Sequence, residues 1–175
     1  MDSKVATRPI TDWAAYRSRL EQFVFRSGLI MKPLFERARH DPKRVVYAEG
    51  EEERVLSAVQ TAVDEGLARP ILIGRRAVVE KRIERLGLRL KAGADFELVD
   101  PENDPRYKEY WTLYHSLTER RGVSPDAARD IVRTRPTVIA ALMVKRGEAD
   151  AMLCGTIGRF HHHLEHVGAV IGRAP

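Results

Sequence analysis

Residues 43–74 read KRVVYAEGEEERVLSAVQTAVDEGLARPILIG, and this stretch decides the fold. Arg44-Val45-Val46-Tyr47-Ala48 is a β-branched run closed by Glu49-Gly50, which predicts a short buried strand. Over 51–65 the apolar residues Val55, Leu56, Val59 and Val63 recur at helical spacing on one face, and Gly66 stops the helix. Pro70-Ile71-Leu72-Ile73-Gly74 is a second buried strand. Strand, amphipathic helix and strand in this order are a crossover unit, in which the two strands lie parallel.

The same rhythm continues downstream. Val78, Val79, Ile83 and Leu86 mark a helix from Ala77 to Leu86, and Phe96-Glu97-Leu98-Val99 is a third strand closed by Asp100-Pro101. Helices are expected near 105–121, 125–133 and 136–146, then a fourth strand at Ala151-Met152-Leu153-Cys154 and a last helix near 159–171. The expected fold is α/β, a three-layer αβα arrangement around a mainly parallel sheet. Upstream lies a helical arm, giving two parts: 1–42 as arm or linker and 43–175 as the first α/β domain. In the arm, Thr11 or Asp12 can cap a first helix that carries Trp13, Tyr16, Leu20 and Phe23/Val24 on one stripe. Ser27-Gly28 is expected to interrupt it, and a second helix runs from about Leu29 to Arg39 with Pro33 near its first turn. The apolar stripe of such an arm needs a surface to cover it, which points to a homo-oligomer.

Composition narrows the function. The chain has 175 residues, 43% hydrophobic and 31% charged, the balance of a globular protein. No apolar run reaches the length of a membrane span, and the first ten residues lack the apolar core of a secretory signal, so no membrane role is expected. A single cysteine excludes an internal disulfide framework and fits a reducing, cytoplasmic setting. The net charge of +5 resides in residues 1–44, with ten Lys/Arg against five Asp/Glu; the remainder holds twenty of each. With 7% aromatics and no basic motif on the body, no nucleic-acid partner is expected.

In open parallel sheets ligands bind beyond the carboxyl ends of the strands. Here Gly155-Thr156-Ile157-Gly158-Arg159 joins a strand to a helix. Its glycines admit a close ligand, the free amides of the helix start favour an anion, and Thr156 and Arg159 add donors. It fits neither common phosphate-loop spacing, and an ordinary turn is the competing reading. The candidate ligand- or phosphate-binding residues are Gly155, Thr156, Gly158, Arg159 and His162. His162 and His166 share a helix face, but with one cysteine and no His-Glu-x-x-His no metal site is assigned. The acids Glu49 and Glu51–Glu53 fit the positive end of a helix. Cys154 is expected to be buried and inert, and Tyr107, Tyr110, Trp111 and Tyr114 to be a core stripe. No catalytic residue is assigned.

These segments resemble a known family. Lys43 to Leu56, Arg69 to Gly74 and Lys145 to Gly155 are similar, in order and spacing, to the phosphate acetyl/butyryltransferase family over about residues 30–172. The arm, from Ala6-Thr7-Arg8-Pro9-Ile10 to Pro33, resembles the junction in bacterial NADP-dependent malic enzymes between a malic-enzyme part and a phosphotransacetylase-like part. The resemblance implies a two-domain α/β module with its active site in the cleft, of which this chain supplies the first half. It implies as partners a malic-enzyme part and a second transferase domain in a longer chain. It further implies a regulatory domain that senses acetyl-CoA, with no resident cofactor; the alternative is part of an active acyltransferase moving an acyl group between CoA and phosphate. The family's Ser, Arg and Asp catalytic residues fall beyond this chain. Where transferases read Ser-Gly-Ala-x-His-Ser-Thr, this sequence reads Cys154-Gly155-Thr156-Ile157-Gly158-Arg159-Phe160, so the 175-residue chain is expected to be inactive as a transferase.

Overall fold

The structure, a computed structural model, describes residues 12–172 and, over 18–30, the backbone alone. The chain divides into two compact units at His40/Asp41. The first contains one helix, α1 (Trp13–His40). Asp12 caps it, its Oδ1 accepting from the Ala15 amide at 2.9 Å. The expected break at Ser27-Gly28 does not occur: α1 is continuous, with Pro33 inside it. One interior glycine costs only about 1 kcal/mol relative to alanine, too little to end a helix rich in Arg, Leu, Glu and Ala. The proposed Thr11 cap and the side chains of Leu20, Phe23 and Val24 lie outside the described residues.

The second unit is built on four parallel strands, β1 (Lys43–Tyr47), β2 (Ala68–Ile73), β3 (Glu97–Val99) and β4 (Ala151–Leu153), in the order β3-β2-β1-β4. The helices are α2 (Glu53–Asp64), α3 (Arg76–Arg85), α4 (Tyr107–Thr118), α5 (Pro125–Thr134), α6 (Pro136–Lys145) and α7 (Phe160–Val170). The register pairs Val46 with Ile71 on one side and Met152 on the other.

Strand alternation assigns the two faces. Val46, Ala48, Ile71, Ile73 and Val99 pack with residues of α4, α5, α6 and α7, whereas Leu72 packs with Val55, Leu56 and Val59 of α2 and Val79 and Ile83 of α3. This partition follows from crossover handedness. From β1 to β3 the chain moves outward in one direction, with α2 and α3 on one face. It then returns past β1 to β4, and a right-handed connection travelling the other way must cross the opposite face. Helix α6 is buried along Thr137–Met143, as a helix apolar on all sides must be. The aromatic stripe of α4 is core: Tyr110 and Tyr114 are buried, and Tyr107 and Trp111 pack against them. The Tyr110 hydroxyl donates to Glu148 Oε2 at 2.6 Å.

Just past β1 the backbone comes close to β2. The Gly50 amide donates to the Ile73 carbonyl at 3.0 Å. A Cβ at Gly50 would lie 2.7 Å from that oxygen and 2.9 Å from Leu72 Cβ, so only glycine fits without a shift of β2. Gly50→Ala is therefore expected to destabilise the α/β unit by about 1–3 kcal/mol, seen as a lower urea midpoint at unchanged slope.

Candidate functional site

The strand order reverses at β1: the chain leaves it toward β2 and comes back on its other side as β4. At such a switch point adjacent loops part in opposite directions and leave a crevice beyond the strand ends. A cavity of about 720 Å³ lies there. Its walls are the loop after β1 (Ala48, Glu49, Glu51, Glu52), the loops after β2 (Gly74, Arg75) and β3 (Pro101, Glu102), the α5–α6 junction (Arg133 to Thr137), the loop after β4 (Ile157 to Arg159) and the α7 face bearing His162, His163 and His166.

Four helices start at this cavity, and none has a side-chain cap. The residue ahead of the first turn is Glu52 for α2, Arg75 for α3, Arg135 for α6 and Arg159 for α7. Arginine has no acceptor and cannot cap, and its charge repels the positive end of the helix. Away from the cavity the usual chemistry returns: Ser124 begins α5, its hydroxyl accepting from the Ala127 amide at 3.2 Å. Three arginines at helix starts concentrate positive charge around one cavity, and the first amides of α7, with that of Thr137 behind the N–H-less Pro136 of α6, add donors, which is the chemistry that holds an anion.

The arginines are not equivalent. Arg75 is engaged: Glu51 Oε1 accepts from its amide and from its Nε, and Oε2 from its Nη2, each at 2.9 Å. Arg82 donates to the Glu51 carbonyl oxygen. Arg133 lies over the Tyr107 ring, 5.0 Å from its centre. Arg135 and Arg159 form no ion pair with a carboxylate among the described residues and line the cavity. Three of the four lining acids are held as well: besides Glu51, Glu52 pairs with Arg54 at 3.1 Å and Glu49 accepts from the Gly155 amide at 2.8 Å, while Glu102 adds one further carboxylate to the wall. Burial, reinforced by Arg135, lowers the affinity of His166 for a proton.

Of the five residues singled out in sequence, Gly158, Arg159 and His162 line the cavity. Gly155 and Thr156 belong to the same loop but not to the wall, and the Gly155 amide is taken by Glu49. Thr137 and Arg135 join the site without having been expected there, and Glu49, at a strand end, and His163, beside His162, join it without having been among those five. His163 and Thr137 meet across 26 residues and Glu49 and Gly155 across 106, so no local pattern signals them. Cys154 is exposed, contrary to the expectation of burial, because β4 is an edge strand; partial desolvation and nearby Glu49 push its thiol up. Among the described residues no group of His, Cys, Asp and Glu is placed to hold a metal ion, and no helix is long and apolar enough to cross a membrane.

Fold and site together define a parallel α/β unit with an anion-favouring crevice at its switch point. Residues 29–175 match the phosphate acetyl/butaryl transferase family, and the chain belongs to it. The chain is 56% identical over 98% of its length to the NADP-dependent malic enzymes of Escherichia coli (strain K12) and Salmonella typhimurium, covering 23% of each. It is 36% identical over 75% of its length to a phosphate acetyltransferase of Nitratidesulfovibrio vulgaris, covering 18% of that protein. The chain thus spans less than a quarter of these curated relatives, and in the malic enzymes the matching region is one part of a longer chain. A phosphotransacetylase structure from Streptococcus pyogenes shares the fold, with a TM-score of 0.68 at 22% identity over 79% of this chain and 42% of that one.

The Glu51–Arg75 clamp yields a prediction about pH. Hydrogen bonds from Arg75 hold the Glu51 carboxyl below its ordinary value, against partial desolvation. A carboxylate depressed in the folded state adds stability above its unfolded pKa, and this is lost as pH falls through the folded value. Melting temperature followed from pH 7 downward is expected to fall for the wild type below about pH 4.3, where an unrestrained glutamate protonates. Glu51→Gln is expected to start lower at pH 7 and to fall less over that acid range.

Proposed function

We propose that this chain is the first half of a phosphotransacetylase-like regulatory module in a longer malic-enzyme chain, and that its crevice binds acetyl-CoA or a related phosphate-bearing ligand. The observation that carries this reading is the crevice itself, where Arg135 and Arg159 stand at uncapped helix starts without carboxylate partners among the described residues. A phosphate group supplies the acceptors that the amides and guanidinium groups lack. Acetyl-CoA is the ligand and not a resident cofactor. Gly158, Arg159 and His162 contact it, and the loop that includes Gly155 and Thr156 shapes the wall.

The reading is regulatory because the expected chemistry lacks a participant. Transfer between CoA and phosphate needs a base for the thiol and clamps for the phosphate oxygens. Arg159 serves as a clamp, but Glu49 is committed to the Gly155 amide and His163 has a contact at each ring nitrogen. A second α/β domain supplies the opposite wall. Its docking surface is the edge strand β4 with the loop and helix that follow, where Leu153, Ile157, Phe160, Leu164 and Ile171 are exposed. Such a run of exposed apolar side chains marks an interface, and parallel sheets are normally covered. The arm, with exposed Trp13, Tyr16, Met31 and Leu34 on α1, holds copies of the chain together in the cytoplasm.

Calorimetric titration of the purified chain with acetyl-CoA is expected to show weak binding, since the second domain supplies the opposite wall, lowered about tenfold further by Arg135→Ala and by Arg159→Ala, in keeping with loss of a charged hydrogen bond. No acetyl phosphate is expected to form from acetyl-CoA and phosphate. Absence of binding, or efficient formation of acetyl phosphate, would contradict the proposal. Light scattering is expected to give a mass above that of one chain, reduced on deletion of residues 1–28.

A further inference from the structure

His163 is the point at which three elements of the cavity meet. It stands in the first turn of α7, and its side chain is only 16% exposed. Its Nδ1 lies 2.8 Å from Oγ1 of the buried Thr137, at the start of α6. Its Nε2 lies 2.7 Å from the carbonyl oxygen of Ile157, in the loop after β4. Glu49, at the end of β1 and 13% exposed, places Oε1 3.8 Å from Nδ1, and the same oxygen accepts from the Gly155 amide. One imidazole and one carboxylate thus tie both ends of the Gly155–Gly158 turn to β1 and α6.

The chemistry fixes the proton on the ring. A carbonyl oxygen only accepts, so Nε2 carries a hydrogen and donates to Ile157. In the neutral ring Nδ1 is then the acceptor for the Thr137 hydroxyl, and both nitrogens are satisfied. The geometry around the ring is also closed: a Cβ on Gly158 would lie 3.0 Å from Nε2, and Gly158 has φ +99°, where side chains are rarely tolerated. The glycine and the histidine therefore fit closely against each other.

We propose that His163 is the positioning residue of the ligand loop: through its Nε2–H bond to Ile157 and its Nδ1 contact with Thr137 it holds Gly158 and Arg159 on the cavity wall. The role of that loop in binding acetyl-CoA rests on the function proposed above, but its positioning by His163 does not. Arg159 is one residue beyond Gly158 and directly precedes α7, so its placement follows from that of the turn.

Hydrogen exchange of the ligand-free chain tests the positioning directly, and acetyl-CoA titration of the same variants tests its consequence. His163→Ala is expected to speed exchange in the segment 154–160 about tenfold, the effect of losing one buried hydrogen bond, while β1 and β2 stay protected. Acetyl-CoA binding is expected to weaken by a similar factor. The two amide variants separate the bonds. Glutamine extends its amide to the place of Nε2, so His163→Gln restores the loop; asparagine reaches only the place of Nδ1, so His163→Asn does not. If His163→Ala fails to fold, Thr137→Val removes the Nδ1 contact alone, and a smaller acceleration confined to the same segment is expected. Unchanged exchange in 154–160 for His163→Ala (for Thr137→Val where that variant does not fold), or restoration by Asn equal to that by Gln, would overturn the proposal. A wild-type chain that does not bind acetyl-CoA would instead refute the proposed function, leaving the exchange result to be read by itself.

Discussion

The hydrogen bond from the Gly155 amide to Glu49 spans the place where the sheet changes direction, and the cavity depends on it. Right-handed crossovers oblige the chain to lay α2 and α3 on one face and α4 to α6 on the other once it turns back past β1, and α7 packs with the second group. The loops after β1 and β4 therefore separate above neighbouring strands. Without a tie they would leave two unrelated turns. Glu49 joins them, and the Ala48 amide bonded to the Leu153 carbonyl at 3.0 Å continues the ladder up to that tie. The crevice is thus a consequence of topology, with Glu49 at one end of the Gly155–Gly158 turn and His163 at the other.

Electrostatics at the helix starts then gives the crevice its character. A sequence optimised only for stability would place Ser, Thr, Asp or Asn before α3, α6 and α7, as it does with Ser124 before α5. Arginine at these positions works against local stability. Such departures from local rules are found where a site needs them. For Arg75 the conflict is resolved inside the protein by Glu51, which neutralises the charge and accepts the amide as a surrogate cap. For Arg135 and Arg159 no carboxylate among the described residues does the same, and the positive charge remains directed at the cavity. The chain belongs to the phosphate acetyl/butaryl transferase family, and the phosphate-bearing ligand proposed above would complete that arrangement.

Much of the fold was legible in the sequence because each element carries its own signal. The β-branched strands 44–48 and 70–74, the spacing of Val55, Leu56, Val59 and Val63, and the glycines behind α2, α3 and α6 are local features, and local features survive into the structure. The break expected at Ser27-Gly28 failed for the converse reason, since a local weakness was outweighed by the good helix formers around it. Cys154 was misjudged because burial depends on strand order, and nothing in Ala151 to Cys154 says that β4 lies at an edge. For the site, the loop after β4 was visible as a glycine-rich strand-to-helix turn. Its supports were not: Thr137 is on the helix two elements earlier, and Glu49 is on the first strand's exit, where its dipole role already explained it. Contacts across 26 and 106 residues are products of the topology and leave no trace in spacing.

The central claim is that the crevice at the β1/β4 switch point receives a phosphate-bearing ligand through the amides and arginines at the starts of α6 and α7. Amide chemical-shift mapping of the isotopically labelled chain during addition of acetyl-CoA addresses it most directly. The account predicts shifts concentrated at 135–138 and 157–163, with a smaller response at 74–76 and none at the opposite ends of the strands. Shifts confined to the amino ends of the strands, or no shifts at saturating ligand, would contradict it.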